Sequence, residues 1–299
     1  MTTSVDAARL GLGSVQWGQP YGIANTAGQP SPDEVGAMIA LAGEAGVNTI
    51  DTARDYAGSE ALIGTLAPTH EWRVMTKLTA QLPASSTVDA LAAAKASVLA
   101  SLEALRQVRL DTLLVHRLEH VSQWGGAVWR ALVELRDSGQ IRKLGISALG
   151  PDQAWIALEQ PDAEVIQVAS SLLDQRLFRS GFFDAAASAG KEVFVRSVFL
   201  QGVAHLPLDQ LPYGLVELRA PLTEIRELAA LRGWLAFAPF LYFAYGIPGV
   251  GVVIGAETVQ QVRECLAEWS MAADRYPDVI ELARTIPLLP DTVLNPWMW

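Results

Sequence analysis

The chain has 299 residues, of which 51% are hydrophobic and only 18% charged, enough apolar material for one large, well-covered core. A net charge of −10 and the absence of any Lys/Arg run exclude direct binding to nucleic acid or to an anionic membrane surface as a leading function. The single cysteine, Cys265, rules out an internal disulfide and a thiolate metal site, and suits a reducing compartment.

The start of the chain lacks the basic end and apolar block of a secretory leader, so a cytoplasmic protein is expected. A first strand is predicted over 9–17, followed by a polar loop to about Gln29. Ser31, Pro32 and Glu34 then read as a helix start, with Ser at the cap, Pro at the first helical position and Glu three residues after Ser. That helix runs to about Gly46. A β-branched strand at 48–52, a short helix at 59–66, a strand at 72–77, an Ala/Leu-rich helix at 87–106 and a strand at 110–116 follow. The alternation continues with a helix at 127–138, a strand at 143–147, a helix at 152–159, a strand at 165–170, a helix at 179–189 and a strand at 192–197. After a long loop come a helix at 221–232, an apolar helix, a strand at 250–254 and a helix at 258–269.

The uncharged run 233–256 is long enough to cross a bilayer, but Pro239, Gly246, Pro248 and Gly249 divide it. A buried helix followed by a buried parallel strand is the better reading, and no membrane span is expected. Short, apolar, mostly unalternating strands interleaved with helices, without a linker, predict an α/β fold: a single-domain (β/α)8 TIM barrel over 1–299. Its active site belongs at the C-terminal ends of the strands. A Rossmann domain is not indicated, because Gly11 and Gly13 lie within a strand and Gly249 and Gly251 precede or open one.

The chemistry collects at those strand ends. Asp51, Lys77 and His116 end, or nearly end, three successive predicted strands, and Tyr56 follows Asp51 in its loop. Each alone has an ordinary explanation: an N-cap, an ion-pair partner, a core histidine, a surface tyrosine. Together they make a proton-donating site on a barrel rim. A free tyrosine has a pKa of about 10, too high for easy proton delivery at neutral pH, and an ammonium within ~4–6 Å favours the phenolate. Asp51 can hold Lys77 charged and in place, while His116 orients a substrate oxygen. His116 and His120 stand four apart, but His116 ends a strand, so no helical metal pair and no metal are expected.

The stretches Leu10-Gly-Leu-Gly13, Ile50-Asp-Thr-Ala53 with Tyr56 and Ser59-Glu60, Met75-Thr-Lys77, Leu113-Leu-Val-His116, 139–147 and Ile166-Gln-Val168 resemble the aldo-keto reductase superfamily, over nearly the whole chain. The resemblance places Asp51, Tyr56, Lys77 and His116 on that family's catalytic tetrad. It implies NADP(H) or NAD(H) extended across the barrel mouth, with no metal and a small-molecule carbonyl or sugar as substrate. It puts Ser147 and Gln167 on the nicotinamide carboxamide, with Ala148 where an asparagine is usual. It sets Arg196 and Ser197 where a tyrosine commonly stacks under the nicotinamide. Gly255, Glu257 and Gln261 fall where a cation usually grips the adenosine 2′-phosphate, and Glu264 on the adenine contact, followed by Cys265. NADPH is the family default, yet these residues lean toward tolerating NADH, and the preference stays open.

Trp17, Tyr21 and Trp124 fall on loops at the predicted mouth, as a substrate wall or as ordinary loop packing. The apolar tail 295–299 lines the pocket or packs on the barrel. Two functional classes stand beside each other: a carbonyl oxidoreductase using Tyr56, and a regulatory subunit on the same fold that binds nucleotide with little turnover. A Schiff-base aldolase using Lys77 is a third, opposed by the pairing with Asp51.

Overall fold

The computed structural model describes residues 7–67 and 71–299. The residues ahead of Ala7 and His70, which entered the arguments on a leader and on metal binding, lie outside them. The strands are β1 (Leu10–Gly13), β2 (Thr49–Asp51), β3 (Arg73–Lys77), β4 (Leu110–Val115), β5 (Ile141–Ser147), β6 (Val165–Ala169), β7 (Glu192–Arg196) and β8 (Gly251–Gly255). All pair in parallel, in sequence order, and β8 returns to β1 to close the barrel.

Helices cover the outside, and their ends carry local causes. The Ser31 hydroxyl accepts the Glu34 N–H at 3.2 Å to open Pro32–Glu44, and the Ser86 hydroxyl accepts the Asp89 N–H at 3.0 Å to open Thr87–Ala104. Each such cap contributes ~1 kcal/mol. The uncharged run forms the buried helix Ala238–Tyr245 and then β8, and among the described residues no helix is long and apolar enough to cross a membrane.

Three boundaries differ from expectation. The first strand stops at Gly13: the Ser14 N–H bonds to the Asp51 carbonyl, and the Trp17 N–H then turns back to Ser14, winding Val15–Gly18 into a short helix. The helix expected at 179–189 divides into Arg176–Arg179 and Phe182–Ser188, because Gly181 adopts φ +75° between them. A further helix, Ala272–Thr285, follows Val259–Ser270 and packs against Ala238–Tyr245.

Strand parity layers the barrel interior, since every second side chain of each strand points inward. The lowest layer is ionic: Arg73 of β3 holds Glu192 of β7 through two bonds (2.5 and 2.6 Å), and Lys143 of β5 reaches the same carboxylate at 2.7 Å. Above it Met75, Leu114, Val165, Phe194 and Val253 form an apolar cluster separate from the larger barrel–helix core. The Phe194 ring fits there because Gly251 lacks a Cβ, which would lie 2.3 Å from it. One step further along the same parity come Asp51, Lys77, Ser147, Gln167, Arg196 and Gly255, with His116 just past β4. The pleat that builds the core therefore delivers the polar residues to one rim.

Candidate active site

The polar layer is tied together across the barrel. Lys77 Nζ donates to Asp51 Oδ1 at 2.7 Å and to the Thr52 carbonyl at 2.9 Å, with only 1% of its side chain exposed. Gln167, from the opposite wall, donates to the same Asp51 oxygen at 2.8 Å, and Ser147 Oγ lies 3.4 Å from Gln167 Oε1. The Lys77 ammonium stands 5.1 Å from the Tyr56 ring centroid, and the His116 ring meets Tyr56 edge-on at 6.2 Å. Asp51, Tyr56, Lys77 and His116 all line one cavity of about 760 Å³ at the C-terminal mouth.

Backbone contacts hold Tyr56 there. The Thr52 N–H bonds to the Met75 carbonyl and the Arg54 N–H to the Lys77 carbonyl, so the loop after β2 continues pairing with β3. Ser59 Oγ donates to the Ser14 carbonyl at 2.6 Å, and Gly18 presses against the loop so closely that a Cβ would lie 2.0 Å from the Tyr56 carbonyl oxygen. Gly18→Ala should push Tyr56 out of register and lower turnover by about 10²-fold while the far-ultraviolet circular dichroism stays that of the parent. Parental turnover in that variant would show that the close approach does not position the phenol.

Asp55 is a participant that the sequence did not single out. Its Oδ2 lies 3.6 Å from His116 Nδ1, and its carboxylate also takes the Thr79 hydroxyl (2.8 Å) and the Ala80 N–H (2.7 Å). Burial works to raise its pKa, but the neighbouring His116 ring and the bonds from Ala80 and Thr79 prevail and hold it at about 2. His116 is pulled the other way: burial lowers its pKa, Asp55 raises it, and Lys77 and Arg196 lower it, for a net depression below the ordinary histidine value.

The remaining predicted residues divide. Ser147, Arg196, Ser197, Gly255, Glu257, Gln261, Glu264 and Tyr21 line the cavity. Gln167 is fully buried beneath it and directed to Asp51. Arg196 donates to the Ala148 carbonyl and the Ser197 hydroxyl, each at 3.1 Å, which fixes the guanidinium over the position where the usual asparagine is missing. Tyr21 is anchored by Gln201, whose amide donates to its hydroxyl at 2.9 Å. Trp17 is not at the mouth: the short helix after β1 turns it into the core, 2% exposed. Trp124 is also absent from the cavity wall and packs its ring against His120 at 5.8 Å. From the tail, Pro296 and Trp297 reach the cavity. Gln16 joins the wall unexpectedly, opposite Gly255, where a Cβ would lie 2.4 Å from its amide nitrogen.

The Aldo/keto reductase family model matches residues 9–275. The chain belongs to the aldo/keto reductase family. Solved structures of other aldo-keto reductases share the fold. AKR11C1 from Bacillus halodurans (holo form) superposes with a TM-score of 0.73 at 20% identity, over 95% of each chain. An aldo/keto reductase from Klebsiella pneumoniae, in complex with NADP and acetate, gives 0.69 at 20% identity, over 94% of this chain and 92% of the other. The glycerol dehydrogenase AKR11B4 from Gluconobacter oxydans gives 0.69 at 21% identity, over 94% of each. A comparison with curated proteins finds no match.

Within this aldo/keto reductase, the cavity carries in its wall a second set of polar residues besides Asp51, Tyr56, Lys77 and His116. Its wall runs from the tetrad past Arg196, Ser197 and Gly202 to Glu257, Gln261, Glu264 and Cys265. Ser14 Oγ and Gln16 Oε1 are buried, belong to wall residues and have no hydrogen-bond partner. Ser197 and Gln201 hold positive φ along the same wall, backbone strain of the kind that collects at binding sites. Among the described residues no cluster of His, Cys, Asp and Glu could hold a metal.

Proposed function

We propose that the protein is an NAD(P)-dependent oxidoreductase that reduces an aldehyde, ketone or sugar carbonyl, or oxidises the corresponding alcohol, with Tyr56 as general acid or base. The observation that carries this reading is a buried ammonium, locked by Asp51 at 2.7 Å, lying 5.1 Å from the centroid of a tyrosine ring in a cavity wall.

When bound, the reduced nicotinamide supplies a hydride to the carbonyl carbon. The phenol of Tyr56 delivers the proton that the carbonyl oxygen requires, and in the reverse direction the phenolate takes it back. Negative charge building on the phenol would be stabilised by the Lys77 ammonium 5.1 Å from the ring centroid, which needs no rearrangement because Asp51 and the Thr52 carbonyl already orient it. His116 stands beside the phenol to bind the same substrate oxygen, with Asp55 behind its other nitrogen. Ser14, Gln16, Ser147 and Arg196 would hold the nicotinamide end, and the wall from Ser197 to Gly202 the middle of the dinucleotide.

The test is titration with NADH and with NADPH, followed by tryptophan fluorescence, then a panel of small aldehydes, ketones and sugars scored by loss of nicotinamide absorbance. Binding of a reduced nucleotide with carbonyl-dependent oxidation is expected. No binding of either nucleotide at millimolar concentration overturns the reading.

Asp55→Asn supplies a second check on the role of His116. Removing a charge that raises the histidine pKa should move the His116 titration, read by NMR, to lower pH, and shift the acid limb of kcat/KM the same way. The carboxylate pKa is depressed from 3.8 to about 2, so its stabilisation is present above about pH 4 and fades as pH falls toward 2. With its side chain 29% exposed, solvent screening limits the loss in the variant at neutral pH to about 1 kcal/mol. An unmoved histidine titration would remove Asp55 from the site.

A further inference from the structure

Part of the cavity wall is built from the start of the helix Val259–Ser270, where backbone N–H groups without intrahelical partners would ordinarily attract a phosphate. Here the chain's own side chains take those of Val259 and Gln261, and that of Glu257 just ahead of the helix. Thr258 Oγ1 accepts the Gln261 N–H at 3.2 Å, and Gln261 Oε1 accepts the Glu257 N–H at 2.7 Å. Glu34 accepts the Val259 N–H at 2.7 Å, reaching across from the helix Pro32–Glu44. Its carboxylate is a built-in anion on the positive end of the helix dipole.

Charge around this end has the same sign. Glu257 and Glu264 both line the cavity there. The cationic side chains of the wall are Lys77 and Arg196, which sit at the tetrad end and are bonded to Asp51 and Thr52, and to Ala148 and Ser197. Arg263, on the same helix, is exposed and outside the wall.

We infer that the protein selects the nicotinamide nucleotide without a 2′-phosphate, NAD(H), because Glu34, Thr258 and Gln261 take the N–H groups of Val259, Gln261 and Glu257, and Glu257 and Glu264 line the wall beside them. This rests on the nicotinamide reading above. An adenosine ribose presents hydroxyls that can donate to a carboxylate, whereas a phosphate dianion beside this helix start meets the Glu257 and Glu264 carboxylates, with Glu34 on the helix N–H, and no cationic wall residue. Glu34 is thus a selectivity residue supplied by the helix between β1 and β2, on the far side of the sequence from the helix it caps.

Isothermal titration of the full-length protein with NADH and with NADPH tests this without a substrate. NADH should bind at least ~10-fold more tightly, the scale of one unfavourable charge contact at a partly buried site. In the double variant Glu34→Gln/Glu257→Gln, which keeps both side-chain lengths and amide oxygens, the ratio of NADPH to NADH dissociation constants should fall at least ~5-fold. Glu257→Gln alone, at the rim, should lower it in the same direction and guards against a folding defect in the double variant. Equal or tighter binding of NADPH to the parent overturns this inference and leaves the proposed function standing. A parent that prefers NADH with variants that keep the parental ratio overturns the assignment to these residues. Failure of both nucleotides to bind overturns the proposed function and this inference together.

Discussion

Tyr56→Phe is expected to bind the reduced nucleotide with the dissociation constant of the parent and to lose turnover by roughly 10²–10⁴-fold, the range contributed by one positioned proton donor. The ring stays, so the edge contact with His116 and the packing beneath Lys77 are kept. Only the hydroxyl goes, and with it the group proposed to hand a proton to the substrate oxygen. Binding and single-turnover hydride transfer, measured on the same preparation, separate the two effects. A variant that reduces a good substrate at close to the parental rate would sink the role given to this phenol. His116 or a water would then have to carry the proton, and the Asp55 experiment would become the more telling one.

Lys77→Met should be costly in a second currency, stability. Lys77 and Asp51 are both buried, and removing one partner of a buried pair leaves the other charge uncompensated at about 3–5 kcal/mol. Gln167 continues to donate to Asp51, so the lower part of that range is expected, about 3 kcal/mol by urea denaturation at neutral pH. Adding Asp51→Asn to Lys77→Met should recover part of the loss, because the orphaned carboxylate is then neutral. Turnover should fall by orders of magnitude in both. A loss below about 1 kcal/mol in the single variant would mean that the pair is solvated in solution. The same geometry speaks to the aldolase alternative: an amine bonded to a carboxylate at 2.7 Å and a backbone carbonyl at 2.9 Å is not free to attack a carbonyl carbon. Borohydride with substrate should therefore leave Lys77 unmodified.

Much of this protein is written locally. The alternation of short apolar strands with capped helices depends on hydrogen bonds and side-chain periods within a few residues, and it predicts the barrel, the strand order and the rim on which Asp51, Tyr56, Lys77 and His116 meet. Even the layering of the interior is legible in principle, since inward positions follow the pleat from Arg73 through Met75 to Lys77. The closing of the barrel decided the rest, because it brings together residues that no period connects. Gln167 reaches Asp51 across 116 positions, and Glu34 reaches the Val259 N–H across 225. Trp17 reads as a mouth residue if the first strand continues through it; the backbone bond from the Trp17 N–H back to the Ser14 carbonyl starts a helical turn instead and puts the indole in the core. Asp55, one residue before the phenol, carries no signal in the sequence, and only the fold sets His116 and Ala80 around it. Local sequence determines which elements form and which way their side chains face, whereas the partners of a charge depend on the angle at which distant elements meet.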